Sequence, residues 1–266
     1  MVRRQKIRKA LILISFLFFP ITIYYLSPVL IVAGAAKGVV TGSFIAFGLM
    51  FLAAMVLGRG FCGWVCPGAG LQEACFSVRD KEVKKGDWIK YALWTPWICV
   101  IVYFFFRAGG IAAIDPLFQI SHGISVSTPQ DYIPFYIVVA LIVVPALAVG
   151  KRSFCHHICW MAPFMVLGRK VRNTAAWPSL GLEAEQENCI QCGKCTENCP
   201  MSLDVRQMVE KGSMEKAECI LCGTCADTCP QKVIRYTFSS GVLAGDGLDD
   251  TSGGVEAASV PRSKTD

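Results

Sequence analysis

Charge is what this sequence has least of. Only 17% of its 266 residues are charged, against 53% apolar. That is too little for an ordinary soluble domain and fits an integral membrane protein with a smaller polar part. The marks of several function classes are also missing. No nucleotide fingerprint, flavin-binding domain, separate substrate domain or catalytic triad is recognisable, so a partner must supply any terminal chemistry. No Cys-x-x-Cys-His occurs, which leaves covalently attached haem without support. The net charge of +6 sits at the ends of hydrophobic runs and accompanies no RNA- or DNA-binding motif, so nucleic acid is a poor partner.

Long apolar runs are present instead. Crossing the hydrocarbon core takes about 20 apolar residues. Residues 10–36 and 38–58 carry only uncharged side chains, with Pro20 and Pro28 placed to kink or end a helix in the first run. Residues 88–106 hold only Lys90, near enough to one end to snorkel, and residues 132–150 form the fourth run. A cleaved signal peptide would have a shorter apolar stretch than the first run and would lead into a soluble domain. Four transmembrane helices are therefore expected. Arg3, Arg4, Lys6, Arg8 and Lys9 precede the first. Arg59, Arg79, Lys81, Lys84 and Lys85 lie between the second and third, and Lys151, Arg152, Arg169, Lys170 and Arg172 follow the fourth. The other two connections share only Lys37 and Arg107. Both termini and the middle loop are expected on the cytoplasmic side of the cell inner membrane.

Cysteine is abundant, with 14 residues. "GRGFCGWVCP" follows the second run and "GKRSFCHHICW" the fourth, so Cys62 and Cys66 recur as Cys155 and Cys159 at a common offset of 93 residues. A parallel repeat of helical hairpins would bring these four thiols together at the cytoplasmic end of the bundle. Four converging thiolates suit an iron–sulfur cluster, zinc or Cu(I); the plainer alternative is buried cysteine packing as a small apolar residue. A disulfide is disfavoured on the reducing side. His156 and His157, inside the second pair, are either ligands, proton acceptors or solvated surface residues. Asp115 and His122 lie in the opposite loop, as ordinary interfacial residues or as contacts for a quinol head group.

After a basic, Pro/Gly-punctuated linker at residues 169–181 come "CIQCGKCTENCP" from Cys189 and "CILCGTCADTCP" from Cys219. Both match the cysteine run of bacterial ferredoxins, in which the fourth cysteine of each run serves the other cluster. Carried over residue by residue, Cys189, Cys192, Cys195 and Cys229 hold one [4Fe–4S] cluster, and Cys219, Cys222, Cys225 and Cys199 the second. Zinc is the competing reading, made improbable by two complete four-cysteine copies. Cys99 is expected to be packing, and Cys75 has no assigned role. Residues 241–266, rich in Gly, Ser and Asp, are expected to be disordered. The domains are then a transmembrane domain at 1–172, a cytoplasmic ferredoxin domain at 173–240 and a tail at 241–266.

The combination of four spans, two Cys-x3-Cys motifs and two ferredoxin runs resembles the NapH-type membrane ferredoxins, whose relatives occur beside periplasmic nitrate reductase, nitrous oxide and methylamine-oxidising systems. Trp160 stands where that family's second motif has proline. The resemblance implies an α-helical membrane protein of two parallel-repeat hairpins joined to a small α+β bacterial 2[4Fe–4S] ferredoxin-like domain. It implies electron transfer between the quinone pool and a partner oxidoreductase or electron carrier, with Cys62, Cys66, Cys155 and Cys159 as a further cofactor-binding set. Related proteins also suggest an assembly factor that reduces a metal such as copper.

Overall fold

The computed structural model describes residues 3–83, 86–120 and 123–239. His122, Lys84, Lys85 and the tail at 241–266 lie outside the described residues. Two helices, Trp88–Arg107 and Pro129–Ala148, are long and apolar enough to cross a membrane. The first expected span is broken: Arg3–Leu17 and Phe19–Leu26 meet at 59°. Pro20 lies at the break, and its missing N–H and fixed φ explain why the helix does not run through. The chain restarts at Pro28–Ala35, where the Ser27 hydroxyl accepts the Leu30 N–H. The second expected span is the Gly42–Leu57 helix, which at 16 residues extends about 24 Å at 1.5 Å per residue. It ends at Gly58, whose φ of 55° is a left-handed conformation that side chains resist. Leu13, Leu17, Leu49, Phe106 and Val144 all stand exposed on the outer faces of these helices.

The sequence repeat is also a backbone repeat. Gly60–Trp64 and Ser153–His157 are short helices, each followed by a turn and a second helix, Pro67–Ala74 and Ala162–Ala175. In the first copy the Phe61 carbonyl accepts from both Val65 and Cys66 at 2.9 Å; in the second the Phe154 carbonyl accepts from both Ile158 and Cys159 at 2.9 Å. Pro67 opens the second helix of the first copy, and Pro163 is at the start of its counterpart. The proline displaced by Trp160 thus returns three residues later, where a helix start tolerates it.

The basic segment expected as a linker is instead structured. Residues from Arg169 continue the Ala162–Ala175 helix, which packs on Gly42–Leu57, and Ser179–Ala184 pairs antiparallel with Ile234–Ser239. Arg169 and Arg172 are buried and hydrogen-bonded rather than solvated. The two cysteine runs hang from this strand pair, each leading into a short helix, Lys194–Glu197 and Thr224–Thr228. Cys99 is exposed on its helix, so it fills no core position.

Candidate metal centres

Within the ferredoxin-like unit the two cysteine runs have one backbone, repeated at an offset of 30 residues. Gln191 and Leu221 have φ of 53° and 50°, Gly193 and Gly223 73° and 72°, and Ser202 and Lys232 51° and 52°. Non-glycine residues in the left-handed region are uncommon, and their recurrence in register means both loops are held in one wrapped shape. Cys189, Cys192, Cys195 and Cys229 line one cavity of about 350 Å³, measured out to solvent. Cys199, Cys219, Cys222 and Cys225 line a second of about 380 Å³. Each cavity therefore takes three cysteines from one run and the last from the other. Its remaining walls are mainly apolar, including Val209, Val233 and Ile234 in the first and Met201, Met208 and Ile220 in the second. Four sulfurs around an apolar space fit a thiolate-bound cluster.

The four remaining paired thiols also converge. Cys62, Cys66, Cys155 and Cys159 are all buried at the junction of the helical hairpins. Burial pushes the Cys66 thiol up to about 12, with Cys62 and Cys155 close enough to add to the effect. Burial likewise raises Cys159, which feels Cys155, Cys62 and Cys66. Without a metal burial favours the neutral thiol at Cys66 and Cys159, and loading one there would release their protons.

Two buried arginines flank this group at repeat-related positions, Arg59 and Arg152. Arg152 donates to the Cys62 carbonyl at 2.9 Å and to Glu73, which Arg8 grips from the other side in a bidentate pair at 2.8 Å. Arg59 pairs with Glu218 at 2.7 Å, and Lys90 reaches the same carboxylate at 2.5 Å. Each carboxylate thus faces two buried cations, of which Arg59 and Arg152 stand close enough to act on Cys155 as well. Burial alone would raise Glu73, but Arg152 and Arg8 hold it at about 2. Arg59 Nε and Nη2 and Arg152 Nε are buried with no hydrogen-bond partner among the described residues. Spare buried donors beside four thiols fit an anionic group such as metal-bound thiolates. Sequence reading missed these roles, taking Arg59 and Arg152 as topology signals and Lys90 as snorkelling. Lys90 is fully buried and paired with the ferredoxin-like unit. The signal available was the 93-residue offset, which relates the two arginines as it does the cysteines.

The histidines resolve differently. His156 is buried with Nδ1 2.5 Å from Asp87 Oδ1, and His157 Nδ1 lies 2.8 Å from the Ser153 carbonyl. Asp87, His156 and Glu218 come together, but Lys90 already supplies a cation there, 3.8 Å from Asp87. Asp115 is exposed, and its carboxylate accepts the Leu117 N–H.

The two thiol regions touch. Trp64 donates to the Leu221 carbonyl and Gln5 to the Cys222 carbonyl, each at 3.0 Å. Arg4 clamps Asp227 at 2.6 and 3.0 Å, and Arg169 clamps Glu215 at 2.5 and 2.8 Å. The run that lines the Cys222 cavity therefore packs against the hairpin end that carries Cys62 and Cys66, whereas the other cavity opens beside exposed Cys192 and Ile190.

Comparison with known proteins follows the same division. Residues 188–234 match the 4Fe-4S dicluster domain. Residues 39–85 and 132–176, one copy of the hairpin repeat each, match a 4Fe-4S binding domain. The chain carries 4Fe–4S ferredoxin-type domains. It is 23% identical over 160 residues to an uncharacterized protein of Methanocaldococcus jannaschii, covering 59% of this chain and 58% of that one. It is 25% identical over 152 residues to the methylamine utilization ferredoxin-type protein MauN of Methylorubrum extorquens, covering 54% and 48%. It is 22% identical over 197 residues to YccM of Escherichia coli, named for electron transport, covering 70% and 53%. The chain spans about half the length of these curated relatives. No solved structure matches.

Proposed function

We propose that the chain is a membrane-anchored iron–sulfur protein that carries electrons between the quinone pool and a partner oxidoreductase. The observation that carries this reading is the series of three four-cysteine groups: buried thiols at the hairpin ends, then the inner cavity whose run packs against one of those ends, then the outer cavity at the exposed surface. Cys189, Cys192, Cys195 and Cys229 would hold one [4Fe–4S] cluster, Cys219, Cys222, Cys225 and Cys199 the second, and Cys62, Cys66, Cys155 and Cys159 a further cluster or metal. Such groups supply one-electron transfer without bond breaking. The protein holds the sulfurs in fixed directions, keeps water from the inner thiols, and balances their charge with Arg59 and Arg152. Its basic hairpin ends fix the ferredoxin-like unit by Arg4, Arg59, Lys90 and Arg169.

In this reading residues 1–172 form a four-span domain in the inner membrane and 173–240 a cytoplasmic ferredoxin domain, with both termini cytoplasmic. The apolar faces bearing Leu49, Phe106 and Val144 would meet lipid. The test is addition of a short-chain quinol to anaerobic, purified protein. Bleaching of the cluster absorbance, lost in Cys62→Ser while dithionite still reduces that variant, supports the proposal. Clusters that quinol leaves oxidised, and quinone cannot reoxidise, would sink it.

One observation favours a second reading, an accessory factor that reduces a metal such as copper during maturation of another enzyme. Met165 Sδ lies 3.8 Å from Cys62 Sγ, and a thioether among thiols suits Cu(I). Copper bound at stoichiometry by the protein as purified would favour it.

A further inference from the structure

One repeat-related pair that touches the four-thiol group differs in chemistry between its two halves. Gln72 and Met165 are separated by the same 93 residues as the cysteines. Each reaches across to the first cysteine of the other copy: Gln72 Nε2 lies 3.2 Å from Cys155 Sγ, and Met165 Sδ 3.8 Å from Cys62 Sγ. Both side chains are fully buried, and they have the same length. Their chemistry differs, because a thioether has no proton to donate and an amide nitrogen has two.

The amide's orientation is fixed by a second bond. Gln72 Nε2 also donates to the Gly68 carbonyl at 3.1 Å, so a flipped amide would set two oxygens against each other. Its Oε1 is buried with no partner among the described residues. An unsatisfied buried acceptor costs stability that a methionine at this position, as in the other copy, would not. The glutamine is therefore out of place as packing.

Resting on the reading that the four thiols hold a redox centre, we propose that Gln72 is a positioning residue that makes that centre asymmetric. Its N–H···S bond to Cys155 favours the more negative, reduced state and raises the centre's reduction potential. Hydrogen bonds to ligating sulfurs are among the factors that set such potentials, and bonds to charged groups are the stronger kind.

The experiment compares full-length, anaerobically purified wild type with Gln72→Met, Met165→Gln and the double exchange. Iron, copper and zinc content is measured first, then the midpoint potential of the four-thiol signal by redox titration. Gln72→Met should keep its metal and shift to lower potential, so that its reduced-to-oxidised ratio at a fixed ambient potential falls about tenfold. The double exchange, which moves the donor to the equivalent sulfur, should return towards wild type. Met165→Gln alone adds a donor and should raise the potential. An unchanged midpoint in Gln72→Met with its metal intact overturns the proposal. If Gln72→Met loses the metal, an unchanged midpoint in Met165→Gln overturns it instead. A wild type that holds metal only at the ferredoxin cysteines defeats both this proposal and the reading beneath it, a result recognised from metal content alone.

Discussion

Gly63 and Cys222 meet backbone to backbone where the helical hairpins join the ferredoxin-like unit. A Cβ on Gly63 would lie 3.4 Å from the Cys222 Cα and nearer still to the Ile220 carbonyl. Only glycine leaves room for this approach. Gly63→Val should therefore push the unit away, at a cost of about 1–3 kcal/mol, typical of overpacking. Faster proteolysis between residues 176 and 188, with clusters still reducible by dithionite, is the expected outcome.

The buried ion pairs at this junction make a second prediction. Glu218→Gln takes the carboxylate from Arg59 and leaves Lys90 only Asp87, 3.8 Å away, and breaking a buried pair costs about 3–5 kcal/mol. Glu183→Gln removes one exposed partner of Arg235 and should change stability by less than about 1 kcal/mol. Thermal loss of cluster absorbance compares the two. Equal effects would mean that the junction is not held by charge.

Glu73 gives a pH dependence. Its carboxyl is held at about 2 in the folded chain, below the usual value, so its contribution is present above the unfolded pKa near 4.5. The contribution is lost as pH falls through about 2. Wild type should thus exceed Glu73→Gln in thermal stability at neutral pH, and the gap should narrow as pH drops below about 4.5. A gap that is constant from pH 7 to pH 3 would contradict the ion-pair account.

Orientation is tested by reporter fusions. One after Phe238 should report the cytoplasm, and one near Ser125 the opposite side, because the basic residues cluster at alternate connections. A cytoplasmic signal near Ser125 would remove the four-span reading.

The sequence made some of this legible and hid the rest, for physical reasons. The first three cysteines of each ferredoxin run were grouped by short spacing, because three sulfurs on one loop need only local backbone geometry. Cys229 and Cys199 were instead assigned by likeness to the bacterial ferredoxin pattern. Convergence of Cys62 with Cys155 was legible through the repeat, since similar hairpins pack about a common axis. Helix breaks were anticipated at Pro20 and Pro28, where a donor is missing. The charges were misread because a basic residue after an apolar run carries the same letter whether it meets water or a buried carboxylate. Arg59, Lys90 and Arg169 find Glu218 and Glu215, roughly 50 to 160 positions away, and no local pattern marks such partners. Gln72 was missed because its meaning lies in its contrast with Met165.

Metal content tests the central claim most directly. Three four-cysteine groups holding [4Fe–4S] clusters predict about twelve irons per chain in anaerobically purified protein. Cys62→Ser, Cys155→Ser and their double variant should each fall to about eight, the double no lower than either single, because one lost thiolate already unmakes a shared site. About eight irons in wild type, unchanged by these substitutions, would leave the four buried thiols without a cluster. Iron near zero with stoichiometric zinc would contradict the account as a whole.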